Sequence, residues 1–275
     1  MDKLSDLLQH VRITAGVFYT GNLCGLASFD KSSQQEGHIH VLKRGKMHLS
    51  TQTKKQFEIP SPSLIFLPQP LAHKMTADED EGADLVCATI TYGMDASNML
   101  TQGLPECMVA PFSEHPQLQA ISDWLFQEAF KEQSGKNAVM NRLCELLVIE
   151  LFRIQMEITP KATGVIVGLN HPNIGNVLEA IHRQPQERWS LEKMAELAHL
   201  SRSKFAALFK DVVGQPPGDY ITEWRLGIAQ NLLMKGQQIG VVANKVGYED
   251  GSALARAFRK KTGLSPKEWQ HKHAQ

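Results

Sequence analysis

Residues 201–220 read SRSKFAALFKDVVGQPPGDY, and residues 250–269 read DGSALARAFRKKTGLSPKEW. The second stretch repeats the first. Phe209-Lys210, Gly214, Pro217 and Tyr220 recur as Phe258-Arg259, Gly263, Pro266 and Trp269, and Phe205 pairs with Leu254, always at an offset of 49 residues. Ser201 and Asp250 open the two copies, and their side-chain oxygens suit them to cap a new helix. A short helix is expected ahead of each cap, over Leu191 to Ala198 and over Ile239 to Val246. The turns between fall at His199-Leu200 and at Gly247-Tyr248-Glu249. Ala195 and Ala243 correspond at an offset of 48, so the second turn is one residue longer. Helix, short turn and capped second helix make the helix-turn-helix pattern. One copy would suit any helical hairpin, whereas two copies with matching caps and core positions are far more specific. The alternative is a helical solenoid, and the dissimilar outward faces of the two units argue against it.

Working outward, a connecting helix is expected from about Asp219 to Met234, carrying Trp224-Arg225, Ala229 and Leu232-Leu233. The second copy continues the pattern in Val246-Gly247-Tyr248, Phe258-Arg259-Lys260, Gly263 and Ser265-Pro266. With these residues, the chain from about 175 to 270 resembles the two-repeat DNA-binding domain of the AraC/XylS family. The resemblance implies two recognition helices held by the long helix, entering successive major grooves roughly 34 Å apart on one face of the duplex.

Helix periodicity assigns the faces. In the first recognition helix Phe205, Leu208 and Phe209 turn inward, leaving Ser203, Ala206 and Ala207 toward the groove. In the second, Leu254, Ala257 and Phe258 turn inward, leaving Ser252, Ala255 and Arg256 outward. Arg256 is the candidate base reader, because its planar fork can bond guanine O6 and N7 together. The first helix offers small residues, which suit thymine-methyl or shape readout. Arg202, Lys204, Arg259, Lys260 and Lys261 suit phosphate contacts, which position without specifying. For each basic residue the alternative is a solvated helix face.

Charge is unevenly divided. Residues 1–169 carry 14 Lys and Arg against 19 Asp and Glu, and residues 170–275 carry 15 against 10. A basic module beside an acidic one suits nucleic-acid binding joined to regulation. The 275 residues suggest two domains, and 42% apolar content supplies a sizeable core. No apolar run reaches membrane-span length. The opening Met1-Asp2-Lys3-Leu4 lacks a basic segment followed by an apolar one, so no signal peptide is expected. Cys24, Cys87, Cys107 and Cys144 form no CxxC pair, and a reducing cytoplasm is the expected compartment.

The N-terminal half reads differently. Apolar and polar residues alternate in His38-Ile39-His40-Val41-Leu42 and Lys46-Met47-His48-Leu49-Ser50. Turn signals at Gly45, Pro60, Pro62, Pro68 and Pro70 separate the runs, suggesting a small all-β barrel or sandwich. Two helices are expected at about 117–132 and 136–157. Residues 17–112 resemble the cupin-type sensor domain of one AraC/XylS branch, through Gly37-His38-Ile39-His40, Leu64-Ile65-Phe66-Leu67-Pro68, His73 and Asp84-Leu85-Val86-Cys87. In cupin enzymes an HxH pair, a glutamate and a later histidine bind a metal. The resemblance puts His38, His40 and His73 in three of those places, as candidates for a ligand or for a divalent metal such as zinc. Residues 43–46 read Lys-Arg-Gly-Lys where the glutamate would stand. The alternative is a polar interior without metal. The branch resembled includes reactive-chlorine and other oxidant-responsive activators, which makes Cys24 and Cys87 redox candidates. A sensing thiol needs thiolate character and solvent access. The alternative for each is a small buried core residue.

The expectation is therefore an α+β chain of two domains: a cupin-like β-barrel with helices over 1–160, a linker over 161–172, and an all-α double helix-turn-helix domain over 173–275. Coupling would run through the helices at 117–157. The implied function is an activator of transcription that binds promoter DNA and answers to a small molecule, a metal or an oxidant. RNA polymerase is an expected partner, and a homodimer through the second helix is one open arrangement. Two rivals remain: a metal-dependent cupin oxygenase with an accessory helical domain, and a non-catalytic adaptor binding protein through residues 117–157.

Overall fold

The computed structural model describes residues 2–29, 36–93, 99–158 and 163–273. These residues form two compact units. One joins 13–92 to 104–155, and the other gathers the described parts of 1–12, 93–103 and 156–275.

The first unit is built on nine strands: β1 (Ile13–Leu23), β2 (Gly25–Phe29), β3 (Gly37–Arg44), β4 (Met47–Thr51), β5 (Gln56–Ile59), β6 (Ser63–Leu67), β7 (His73–Ala77), β8 (Ala83–Tyr92) and β9 (Met108–Pro111). They pair antiparallel in two sheets, ordered β1-β8-β3-β6-β9 and β2-β7-β4-β5. Hydrogen bonding runs within each sheet, so of the two expected forms this is the sandwich, and the barrel is not closed. In the smaller sheet burial alternates: Met47, Leu49 and Thr51 are buried beside exposed His48, and His73, Met75 and Ala77 beside exposed Lys74 and Thr76. That sheet faces the core on one side and water on the other. β3 and β6 are buried nearly throughout, because helices cover the outer face of their sheet. These helices are expected from the sequence and lie at Pro116–Ala129 and Lys136–Ile158. On the second, Phe152 meets Phe66 with ring centroids 6.5 Å apart. Asn141 and Glu145 accept from the backbone N–H groups of Val17 and Ala15 at 3.0 and 3.3 Å, tying that helix to β1.

Between the sheets Leu42, Met47, Leu49, Ile59, Ile65, Leu67, Met75 and Leu85 form an apolar core with Cys87 and Cys107. The register places His38, His40 and Leu42 of β3 opposite Thr89, Cys87 and Leu85 of β8. Cross-strand partners share a face. The two histidines thus sit at one end of the layer whose other end is this core.

The second unit is helical. Its helices in chain order are Lys3–Leu8 (α1), then, after the two named above (α2 and α3), Val165–Gly168 (α4), Ile174–Arg183 (α5), Leu191–Leu197 (α6), Arg202–Val213 (α7), Pro217–Met234 (α8), Ile239–Lys245 (α9), Gly251–Thr262 (α10) and Pro266–His273 (α11). The repeat is visible in its caps. Gly214 and Gly263 end α7 and α10 in left-handed conformation, with φ +91° and +76°. A residue without Cβ takes this position at no steric cost, which explains the paired glycines. Asp250 accepts from the Ala253 N–H at 2.7 Å. Ser201 stands at the matching position but makes no side-chain cap bond, and its hydroxyl lies 3.5 Å from that of Ser203.

Two expectations change. The stretch expected as a linker, 161–172, holds α4, whose Val165 and Ile166 are buried, and Leu169 beyond it is buried too. Residues 161 and 162 lie outside the described set. The division expected near residue 160 also differs, since α1 packs on α5 and buries Leu4 and Leu7 within the helical unit. The apolar spacing of Leu4, Leu7 and Val11 is what draws the N-terminal segment there.

Candidate nucleic-acid interface and sensor pocket

On the first recognition helix, α7, Phe205 and Phe209 are fully buried and Leu208 partly so. Ring contacts run from Phe209 to Phe205 at 5.6 Å and to Tyr220 at 5.7 Å. That packing turns Ser203, Lys204 and Ala207 to the exposed face, with Ala206 half-buried at its margin. On α10 Leu254 and Phe258 are fully buried, Phe258 standing edge-on to Trp269 at 5.5 Å. Ser252 and Arg256 are exposed, while Ala255 and Ala257 are half-buried. Arg256 is the long donor-bearing side chain between Leu254 and Phe258, and Arg259, Lys260 and Lys261 follow in the last turn of the same helix.

The basic residues differ in their partners. Arg202 pairs with Glu192 at 2.7 Å, Arg259 with Glu268 at 3.3 Å, and Lys261 with Glu223. These pairs are largely exposed, and exposed ion pairs contribute little to stability. Arg256, Lys204 and Lys260 have no ion pair among the described residues.

The histidines of the sandwich do come together. His40 and His73 face each other with Nε2 atoms 2.9 Å apart. His73 Nδ1–H donates to the Leu71 carbonyl at 2.7 Å. This fixes the tautomer: His73 Nε2 accepts, and His40 Nε2–H donates. His40 Nδ1 is then a buried acceptor, and neither it nor His38 Nδ1 has a partner among the described residues. Phe29 stacks on His73 at 4.9 Å and meets His40 at 5.2 Å, and Phe18 closes the edge beside His38 at 5.9 Å. Burial holds all three imidazoles below their ordinary pKa, His38 at about 4, and the neighbouring His73 lowers His38 and His40 further. The cluster is therefore neutral, aromatic and short of hydrogen-bond partners among the described residues.

As they stand, the described residues include no cluster of three or more histidine, cysteine or acidic side chains arranged to hold a metal ion. His40 and His73 direct their facing nitrogens at each other, and the glutamate position is held by cationic side chains. Among the described residues, these histidines are therefore not joined by the further ligand that a cupin metal site would need.

The two redox candidates separate. Cys24 is exposed and donates to Asn22 Oδ1 at 3.1 Å. Cys87 is buried beside His40, and burial raises its thiol well above the ordinary range. Cys107 and Cys144 are pushed up to about 12 by burial, as expected of core thiols. Sequence reasoning missed Phe18 and Phe29 as neighbours of the histidines, and Tyr19 as the cross-strand partner of Cys87. A bulge in β1 between Val17 and Tyr19 brings Tyr19 opposite Cys87, and strand alternation alone does not reveal a bulge.

The chain matches two families: residues 2–157 match Cupin, and residues 194–272 match a helix-turn-helix domain. It is similar to an uncharacterized HTH-type transcriptional regulator of Haemophilus influenzae, 27% identical over 267 residues and covering 88% of each chain. It is similar to the RCS-specific HTH-type transcriptional activator RclR of Escherichia coli, 29% identical, covering 85% of this chain and 84% of that one. A putative AraC-like transcription regulator of Streptomyces antibioticus is 30% identical over 69% of this chain and 64% of its own. These relatives are regulators rather than enzymes, which removes the oxygenase reading. The chain belongs to the Cupin family through residues 2–157, and the helix-turn-helix domain joined to it makes it a DNA-binding transcription regulator.

Proposed function

We propose that this regulator is a one-component activator whose two recognition helices, α7 and α10, enter successive major grooves of one promoter site. The observation that carries the reading is the repeat itself: two helices with buried apolar stripes, left-handed glycine ends and small or basic outward faces. Arg256 reads a base, Ser203, Ala206, Ala207, Ser252 and Ala255 line the groove, and Arg202, Lys204, Arg259 and Lys260 hold phosphates. Recruitment of RNA polymerase and a cytoplasmic location follow from this role. A homodimer fits it but is not required by it. Footprinting of the full chain upstream of its own gene tests the reading, and protection of two grooves is the expected result.

The effector is a small neutral molecule bearing a hydrogen-bond donor. The support is the uncharged cluster of His38, His40 and His73, whose two Nδ1 atoms have no partner among the described residues and which packs on Phe29. A second reading, oxidant sensing, draws on the exposed Cys24 and on the description of the Escherichia coli relative as RCS-specific. Single substitutions at His38, His40, His73, Cys24 and Cys87, assayed for promoter output with each candidate signal, separate the two. Loss of response at the histidines supports the ligand, and loss at Cys24 supports the oxidant.

A further inference from the structure

Arg225 lies on α8, the helix between the two repeats, and belongs to neither recognition helix. Its guanidinium nevertheless touches both repeats. Nε donates to the Pro185 carbonyl at 2.8 Å, Nη2 to the Glu187 carbonyl at 2.8 Å, and Nη1 to the Gly247 carbonyl at 3.4 Å. Pro185 and Glu187 lie in the segment leading into α6, the first helix of repeat one. Gly247 is in the turn between the two helices of repeat two. The Tyr248 ring lies 5.9 Å from the guanidinium.

The other side of this bracket is closed by Gly247. Its φ is +80°, and a Cβ there would stand 2.7 Å from the Gln186 carbonyl oxygen and 2.8 Å from Arg225 Nη2. The turn of repeat two is thus pressed against the segment before repeat one with no room for a methyl group. A planar five-donor fork can hold three carbonyls at fixed angles, which a flexible ammonium cannot. Hydrogen bonds from a charged donor are also roughly twice as strong as neutral ones. Two residues earlier, Glu223 accepts from Gln215 after α7 at 3.0 Å and pairs with Lys261 at the end of α10. The ion pair is partly exposed and weak, which leaves Arg225 as the stiff member.

We propose that Arg225 is a positioning residue for DNA binding. Clamped against Gly247, it locks the two helix-turn-helix units at one relative phase and so sets the half-site spacing the protein accepts. The proposal rests on the reading that both repeats bind DNA. One inserted base pair shifts the second groove by about 3.4 Å and about a tenth of a turn. A locked pair of recognition helices cannot follow that shift, whereas a pair joined by a bare helix can bend toward it.

The test uses the full chain and duplexes carrying its footprinted site with one base pair inserted or removed between the two contacted grooves. Affinities are compared at one salt concentration for the natural protein and for Arg225→Met, Arg225→Lys and Gly247→Ala, with melting curves confirming that each is folded. The natural protein should lose about tenfold or more in affinity on either altered duplex, and each variant less than about threefold relative to its own best site. Arg225→Lys should behave as Arg225→Met does, because it keeps the charge and loses the fork. If the folded variants bind every duplex more weakly but keep the natural spacing profile, Arg225 supports the fold only and the proposal is overturned. A natural protein indifferent to spacing overturns it as well. A natural footprint confined to one groove instead overturns the two-repeat reading beneath it.

Discussion

Arg256→Ala separates base reading from everything else this domain does. The side chain is exposed on α10, two residues beyond buried Leu254 and two before buried Phe258. It has no ion pair among the described residues, so its removal should change folding stability by no more than about 0.5 kcal/mol. For the same reason its contact with DNA is not offset by a lost internal partner. Arg202 and Arg259 must each give up an exposed carboxylate partner first. A bidentate contact to guanine discriminates by about 1–3 kcal/mol. At about 1.4 kcal/mol per factor of ten, the variant should bind its specific site roughly 5- to 150-fold more weakly. Its affinity for random-sequence duplex should fall only by the share of one lost cation. The assay is anisotropy on specific and random duplexes over a salt series. Lys260→Ala is the comparison: it should weaken both duplexes evenly and reduce the salt slope by about 0.9. Equal loss on the two duplexes for Arg256→Ala would refute the assignment of this face to the major groove.

Other expectations follow from the same geometry. Phe209→Ala removes a fully buried ring and two aromatic contacts, and should cost about 3–5 kcal/mol, read as a fall in the melting temperature of the helical unit. Asp250→Ala should cost about 1 kcal/mol and Ser201→Ala clearly less, because only Asp250 makes a cap bond; equal costs by chemical denaturation would count against this cap geometry. His182 is fully buried, bonded to Tyr220 at 2.5 Å, and held at about pKa 3 by burial, with His10 lowering it further. The unfolded chain therefore binds the extra proton first, and stability should fall as pH drops from about 6.5 toward 3, by up to about 1.4 kcal/mol per pH unit. A melting temperature that stays flat on acidification would contradict this. Thiol labelling of the native protein at neutral pH should modify Cys24 and leave Cys87, Cys107 and Cys144 protected until unfolding.

The DNA-binding half was largely legible because its information is local. Paired glycines, caps and aromatic positions at one offset state the helix ends and the buried stripe directly. What the repeat does not encode is how the units are joined. Arg225 stands in an ordinary helical position, and its three carbonyl partners come from segments 38–40 residues before it and 22 residues after it. The cupin half was legible in kind but not in detail. Alternation puts His38 and His40 on one strand face, and only the packing of the smaller sheet on the larger brings His73, on β7, to them. The bulge that turns Tyr19 toward Cys87 has no sequence mark. Chain order alone puts the N-terminal segment with the nearer domain, yet the apolar residues of α1 find their partners in the helical unit.

If both repeats engage one DNA site together, hydroxyl-radical footprinting of the full chain on its target promoter should show two protected patches on one face of the duplex, centred about one helical turn apart. Phe258→Ala, which unseats the second recognition helix, should abolish both patches or leave only weak protection at the first. A single patch in the natural protein, unchanged by that substitution, would contradict the account.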